Sequence, residues 1–297
     1  MTNANEELTA PPTAQRAADL ERLAAFMLAA GRLVVLTGAG CSTESGIPDY
    51  RSPGGLWTNH KPIYYADFVR SATARQRYWA RSMAGWNSFN RAAPNPAHLA
   101  LARLEALGRV QYLITQNVDR LHQAAGSRNV LELHGHNDGV VCLGCGHEMT
   151  RRAMQRALLA LNPNWNARPV AVAPDGDAQL DTEAFAAFRV ADCPVCGGLL
   201  KPDVVFFGES VPLARVGLAT AQVAECDALL VVGSSLTVWS GYRFAHQAVT
   251  AGKPLALVNI GPTRADPIAT LKIEQRVGEF LPHLLDHVGP RVPAQAG

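Results

Sequence analysis

Residues 33–36, Leu-Val-Val-Leu, run without a break into Thr37-Gly38-Ala39-Gly40, and this junction constrains the fold more than any other stretch. Four consecutive apolar, partly β-branched residues describe a buried strand. The glycines behind it let a backbone come close to something large and anionic. Ser42 and Thr43 stand where a short helix would take its cap, with a phosphate favoured at its N-terminus. The junction therefore reads as a nucleotide-binding loop, but not the dehydrogenase form. G-x-G-x-x-G requires glycine where the chain has Thr43, and no second strand ends in a ribose-binding acid about twenty residues on. The chain continues instead into Gly46-Ile47-Pro48-Asp49-Tyr50-Arg51-Ser52, an unusual polar and aromatic string.

The strand-to-loop pattern recurs. Residues 110–115 form a strand that delivers Gln116, Asn117, Val118, Asp119, Arg120 and His122 at its end, and 130–133 a shorter one that delivers His134-Gly135. Residues 228–232 end in Gly233-Ser234-Ser235, and 255–260 in Asn259-Ile260-Gly261. Helical spacing over 14–30, with Leu20, Leu23, Phe26 and Met27 on one face, and further helical stretches between the strands complete the alternation. This is the pattern of an α/β fold with a doubly wound parallel sheet, in which ligands lie at strand C-terminal ends. Residues 64–89 read as an aromatic-rich helical module, with Tyr78, Trp79 and Trp86 as packing residues, and His98 reads as a hydrogen-bonded structural histidine.

Four of the six cysteines form two Cys-x-x-Cys pairs, Cys142/Cys145 and Cys193/Cys196, each with glycine nearby. Such pairs indicate metal and a reducing, cytoplasmic setting rather than secreted disulfides. Four thiolates would saturate one tetrahedral zinc, which makes the expected metal structural. Cys41 and Cys226 read as plain core or loop thiols. The expected organisation is a tail over 1–13, a Rossmann-like domain over 14–135 and 200–288 with the helical module at about 53–93, an inserted zinc lobe over 136–199, and a tail over 289–297. With 27 basic against 25 acidic residues, the charge gives no basis for nucleic-acid binding by phosphate neutralisation. No apolar run approaches the roughly 18 residues of a membrane span. The first dozen residues lack the basic-then-apolar layout of a secretory signal, and Glu6 and Glu7 argue against a transit peptide.

In this order, Gly38-Ala39-Gly40-Cys41-Ser42, Gly46 to Ser52, Thr115-Gln116-Asn117-Val118-Asp119, His134-Gly135, the cysteine pairs, Gly233-Ser234-Ser235 and Asn259-Ile260-Gly261 resemble the sirtuins, NAD-dependent protein deacylases. The resemblance spans about 14–288. Thr43-Glu44-Ser45-Gly46, Arg77 to Arg81 and Ser240 to Phe244 are similar to the family's class II branch. The resemblance implies that NAD is consumed and that the acyl group of an acyl-lysine protein or peptide passes to ADP-ribose. It also implies that His134 is the general base acting on the ribose hydroxyls, a step suited to imidazole. Asn117 and Asp119 match positions holding the nicotinamide-side ribose and carboxamide, and Gln116 lies on the cofactor wall. Gly38, Ala39, Gly40, Ser42 and Thr43 would face phosphates, while Asp49, Tyr50 and Arg51 would order the loop over the cofactor. Gly233, Ser234, Ser235, Asn259, Ile260 and Gly261 match the adenosine half, with Val277 beside the adenine. Val204, Val205, Phe206, Phe207 and Gly208 would line the acyl-lysine tunnel and pair with the peptide backbone. Tyr50 stands where the family usually has phenylalanine. Tyr78 and Arg81 have a spacing that some sirtuins use for acidic acyl groups. The same site also suits mono-ADP-ribosyl transfer, and a non-catalytic NAD sensor or zinc-ribbon docking module is the remaining alternative.

Overall fold

The computed structural model describes residues 13–49, 62–165, 169–172, 178–180 and 185–289. Helix α1 (Thr13–Ala29) precedes strand β1 (Leu33–Thr37). Helices α2 (Tyr65–Arg70), α3 (Ala72–Phe89) and α4 (Pro96–Ala106) follow. Next come β2 (Tyr112–Thr115), the single turn α5 (Leu121–Ala124) and β3 (Val130–Glu132). A second lobe holds β4 (Gly135–Cys142), β5 (Glu148–Thr150), α6 (Arg151–Leu161), β6 (Pro169–Val172), β7 (Ala178–Leu180) and β8 (Leu200–Val204). The chain then forms α7 (Leu213–Glu225), β9 (Ala228–Val232), α8 (Trp239–Thr250), β10 (Leu255–Val258), β11 (Leu271–Ile273) and α9 (Val277–Leu284).

Six strands form a parallel sheet in the order β11-β10-β9-β1-β2-β3. β1 sits inside the sheet and is buried at every position because both of its faces are covered. Leu33 and Val35 enter one apolar core, with α1, α4 and α9, while Val34 and Leu36 enter the other, with α7 and α8. A strand covered on both sides has no polar face, which is why this run shows no alternation. From β1 the chain builds outward to β2 and β3, then returns to build β9, β10 and β11 on the other side. The order therefore reverses between β1 and β9, and their C-terminal ends open a crevice there. β11 is a sixth strand beyond the five read from the sequence, since Leu271-Lys272-Ile273 is too short to carry a strand period.

The second lobe contains an antiparallel β5-β4-β8 sheet. The chain was expected to re-enter the Rossmann-like domain at residue 200, but β8 pairs with β4 of the second lobe, setting Leu200 opposite Cys142 and Lys201 opposite Val141. The physical reason is the cysteine pairs. β4 runs into the first pair and β8 leaves the second, so bringing the pairs together aligns the two strands. Helices α2 and α3 share this lobe's core, in which Phe68, Trp79, Met154, Leu158 and Phe188 are fully buried. Trp79 donates its indole N–H to the Leu200 carbonyl (3.2 Å), and the buried Arg151 guanidinium lies 4.7 Å from the Trp86 ring centre and donates to Ser82. The aromatic residues of α3 thus join the helical module to the cysteine lobe.

Behind β1, His98 and His122 lie buried with ring centres 4.8 Å apart. His98 closes a capping box with Asn95 at the start of α4, and His122 Nε2 meets Thr37 Oγ1 at 2.9 Å. Burial lowers the pKa of His98 to about 4 and that of His122 well below its ordinary value. Both are neutral in the fold, whereas unfolded histidine gains its proton below about pH 6.5. Stability is therefore held above that pH and lost as pH falls toward 4, on the order of 2 kcal/mol from His98 alone at pH 5. Urea unfolding at pH 7.5 and 5.0 will show the loss, and a smaller loss is expected in His98→Asn.

Candidate active site

The loops that follow β1 and β9 pack backbone on backbone. Gly38 N–H donates to Val232 O (3.2 Å) and Gly40 N–H to Gly233 O (2.9 Å). A Cβ on Gly38 would lie 2.7 Å from the Ser234 side chain, and one on Gly40 would lie 3.0 Å from Gly233 O. Gly233 has φ of +60°, and a Cβ there would come within 2.5 Å of Cys41 N. The glycines are thus required first by one another, and only then by any ligand. Residues 39–45 form two three-residue 3₁₀ turns, Ala39–Cys41 and Thr43–Ser45, and Ser42 makes no side-chain cap. The expected helix N-terminus is therefore absent, and turns this short carry little dipole.

Ser42 is recruited elsewhere. Its hydroxyl donates to Asp119 Oδ2 (2.7 Å) and accepts from Asn117 Nδ2 (3.0 Å), which also donates to Gly38 O (3.0 Å). Asp119 accepts the Leu121 N–H (2.9 Å) as well. Burial pushes the Asp119 carboxyl up, against the lowering effect of the bonds from Leu121 and Ser42. Gln116 ties the floor together: its side chain donates to Ser234 Oγ (2.9 Å) and Thr37 O (3.2 Å).

The Gln116 backbone carbonyl lies 3.0 Å from His134 Nδ1, so it accepts the Nδ1–H and leaves Nε2 as the basic nitrogen. Nε2 meets Ser240 Oγ at 2.8 Å. Burial is the main cause lowering the His134 pKa to about 4. The Gln116 bond opposes it, and Arg215 and Arg243 add to it. His134 is accordingly a neutral base poised between the crevice and 204–209, since its own carbonyl accepts the Val205 N–H (2.8 Å).

A cavity of about 1510 Å³ joins these parts. It exceeds the roughly 300–1,000 Å³ of ordinary small-ligand pockets and has room for a dinucleotide together with an extended side chain. Its walls include Gly38, Ala39, Gly40, Ser42, Asp49, Gln116, Asn117, Asp119 and His134. Val204 to Gly208, Gly233 to Ser235 and Asn259 to Gly261 also line it. Thr43, Val277, Tyr78 and Arg81 do not. Thr43 is exposed and its hydroxyl bonds back to Gly40 O (3.2 Å). Val277 is a core residue at the start of α9, and Arg276 and Glu279 reach the cavity beside it. Tyr78 packs against Phe68 and Phe206, the latter a wall residue. Tyr50 and Arg51 lie outside the described residues.

The stretch expected to pair with a peptide has several groups already committed. Phe206 N–H donates to Glu209, Phe206 O accepts the Glu209 N–H, and Phe207 O accepts the Tyr65 N–H. A peptide can pair along only part of it. Sequence reasoning missed Arg16, Ile63, Trp239, Ser240, Arg243, Arg264 and Arg276, which also line the cavity. Ser240 and Arg243 stand in the string similar to the class II branch; the rest had only a position just after a strand-end loop, or no signal.

The Sir2 family model matches residues 38–240. The chain belongs to the Sir2 family. An NAD-dependent protein deacetylase from Xanthomonas axonopodis pv. citri is 53% identical over 95% of each chain. The human mitochondrial NAD-dependent protein lipoamidase sirtuin-4 is 52% identical over 89% of this chain and 85% of its own. A Sir2 solved with a p53 peptide and NAD+ is 31% identical, with a TM-score of 0.73, covering 90% of this sirtuin and 97% of the solved chain.

The four paired cysteines of this sirtuin converge. Their sulfurs lie within 4.8 Å of one another, with Cys142 and Cys196 3.5 Å apart and Cys145 and Cys193 3.7 Å apart. Zinc–sulfur bonds of about 2.3 Å in a tetrahedron place sulfurs about 3.8 Å apart, so the donor set fits one zinc. The N–H groups of Gly144, Val195 and Gly198 point at these sulfurs (3.4 Å each), as suits thiolates. Such an ion would cross-link β4 to β8 and leave no open coordination position. Purified protein should carry about one zinc per chain. Its removal by a chelator should melt the cysteine lobe and lower deacylation through the 204–209 stretch, while a Cys145→Ser variant should show the same loss without chelator.

Proposed function

We propose that this protein is an NAD-dependent protein-lysine deacylase. It cleaves the nicotinamide–ribose bond of NAD and transfers the acyl group of an acyl-lysine to ADP-ribose. The observation that carries the reading is His134: a buried, neutral imidazole with its tautomer set by Gln116 O, placed where the glycine-loop crevice meets the 204–209 wall. The names of the bacterial relatives agree with it.

The residues divide the work along the cavity. The loops at Gly38 to Ser42 and Gly233 to Ser235 receive the diphosphate, and Asn259, Ile260 and Gly261 the adenosine end. Asn117 and Asp119, fixed through Ser42, hold the nicotinamide-side ribose. The acyl-lysine enters along Val204 to Gly208, with Val205 and Phe206 against its chain. An amide oxygen is a weak nucleophile, so the first step depends on alignment with the ribose carbon and on stabilising an oxocarbenium-like charge. His134 Nε2 then takes the proton of a ribose hydroxyl, which lets that oxygen attack the acyl carbon. The partners are acyl-lysine proteins or peptides. Among the described residues no helix is long and apolar enough to cross a membrane. A reducing compartment such as the cytoplasm would keep the four thiols available to zinc.

The test is incubation with NAD and a panel of acyl-peptides, with nicotinamide and O-acyl-ADP-ribose followed by mass. Both products are expected in equal amounts; ADP-ribose attached to protein without acyl transfer would favour ADP-ribosyl transfer. His134→Ala should lower O-acyl-ADP-ribose formation by roughly 10²–10⁴-fold. Because the neutral imidazole is the active form, kcat/KM should stay level well below pH 6.5 and decline only as pH approaches about 4.

A further inference from the structure

The first turn of α8 touches the base directly. Ser240 is the second residue of that helix, and its Oγ lies 2.8 Å from His134 Nε2. Since Nδ1 gives its hydrogen to Gln116 O, Nε2 is an acceptor, and the Ser240 hydroxyl must be the donor. This contact is built by a close approach. A Cβ on Gly241 would meet the Gln116 side-chain amide, so a larger residue there would push that amide off its bonds to Ser234 and Thr37. One residue, Gln116, therefore fixes both partners: its carbonyl orients the imidazole, and its side chain rests against the helix that presents the hydroxyl.

We propose that Ser240 is a positioning residue for His134, holding Nε2 in the tautomer and orientation that receive a ribose proton until the ribose hydroxyl takes its place. The inference rests on the reading of His134 as the base. In the proton transfer the ribose O–H bond breaks and a bond to Nε2 forms, giving an alkoxide and an imidazolium; Ser240 keeps its own proton. A donor at Nε2 stabilises the neutral ring and opposes its protonation, in the same direction as the charges that face it. Those are Arg243 on α8 and Arg215 on α7, the latter paired with Asp203 of β8 at 2.9 Å. Ser240 thus helps to keep the base unprotonated in the free enzyme, and its hydroxyl holds the place that a ribose hydroxyl would take.

The experiment compares wild type, Ser240→Ala, Ser240→Thr and His134→Ala. It reads pH profiles of O-acyl-ADP-ribose formation and titrates the His134 ring by ¹⁵N NMR in the free enzyme. In Ser240→Ala, loss of one hydrogen bond to the neutral ring should raise both the NMR pKa and the acidic limb of kcat/KM by roughly half to one pH unit. Its kcat should fall about three- to tenfold through lost orientation, with KM for NAD changed less than about twofold. Ser240→Thr, which keeps the hydroxyl, should restore both values. A Ser240→Ala enzyme with unmoved limb and NMR pKa overturns the inference, and so does a Ser240→Thr enzyme that behaves as Ser240→Ala. If Ser240→Ala is poorly folded, the NMR titration of Ser240→Thr against wild type decides, since a shifted pKa with the hydroxyl retained contradicts the role. His134→Ala with wild-type product formation would instead sink the reading of His134 itself.

Discussion

Everything in this structure that bears on function depends on two backbones touching. At the switch point of the parallel sheet, the loop after β1 and the loop after β9 meet with no side chain between them, Gly40 N–H bonded to Gly233 O. A Cβ at Gly40 or Gly233 would run into the facing backbone, so this particular approach requires glycine on both loops. The positive φ of Gly233 turns its chain into that space. With the loops locked, the crevice above them keeps its shape before any ligand arrives, and preorganisation of this kind lowers the ordering cost of binding.

The polar floor extends the same logic to the chemistry. Gln116, just after β2, bonds through its side chain to Ser234 of the β9 loop and to the carbonyl of Thr37 at the end of β1, and through its own carbonyl to His134. Ser42 draws Asn117 and Asp119 into one network, so the groups assigned to the ribose are fixed by the loop assigned to the phosphates. A misplacement in one part is transmitted to the next. His134, proposed as the base, is tuned by placement as well: burial and two nearby arginines keep it neutral. The cysteine lobe acts at a distance, since β8 leaves the second cysteine pair and leads directly to Val204 and Val205.

The sheet was legible because its strands are uninterrupted apolar runs, and because each ends in glycine or small polar residues. Gly38, Asn117, His134 and Gly233 stand at such strand ends, and their expected roles came from the resemblance to the sirtuins. The pairing of β8 was not legible, since Leu200-Lys201-Pro202-Asp203-Val204 carries neither a clean apolar run nor an alternation, and its partner is set by the cysteines. The role of Ser42 was misread because a hydroxyl after a glycine loop has the composition of a helix cap, whereas its acceptor, Asp119, lies 77 positions away. Val277, expected beside the adenine, lies in the core because α9 packs on α4, and its neighbours Arg276 and Glu279 line the cavity. Ser240 and Arg243 were legible only as part of a class II-like string, without a site role, and Trp239 not at all, because their place on the wall is set by how α8 packs against Gln116.

The central claim is that interlocked glycine loops form the NAD site. Its most direct measurement is the calorimetric affinity of Gly233→Ala for NAD, alongside its unfolding free energy. The account predicts at least about a tenfold loss of affinity together with lower stability, as a Cβ at φ of +60° is strained and collides with Cys41 N. Native affinity in a Gly233→Ala protein of native stability would contradict it.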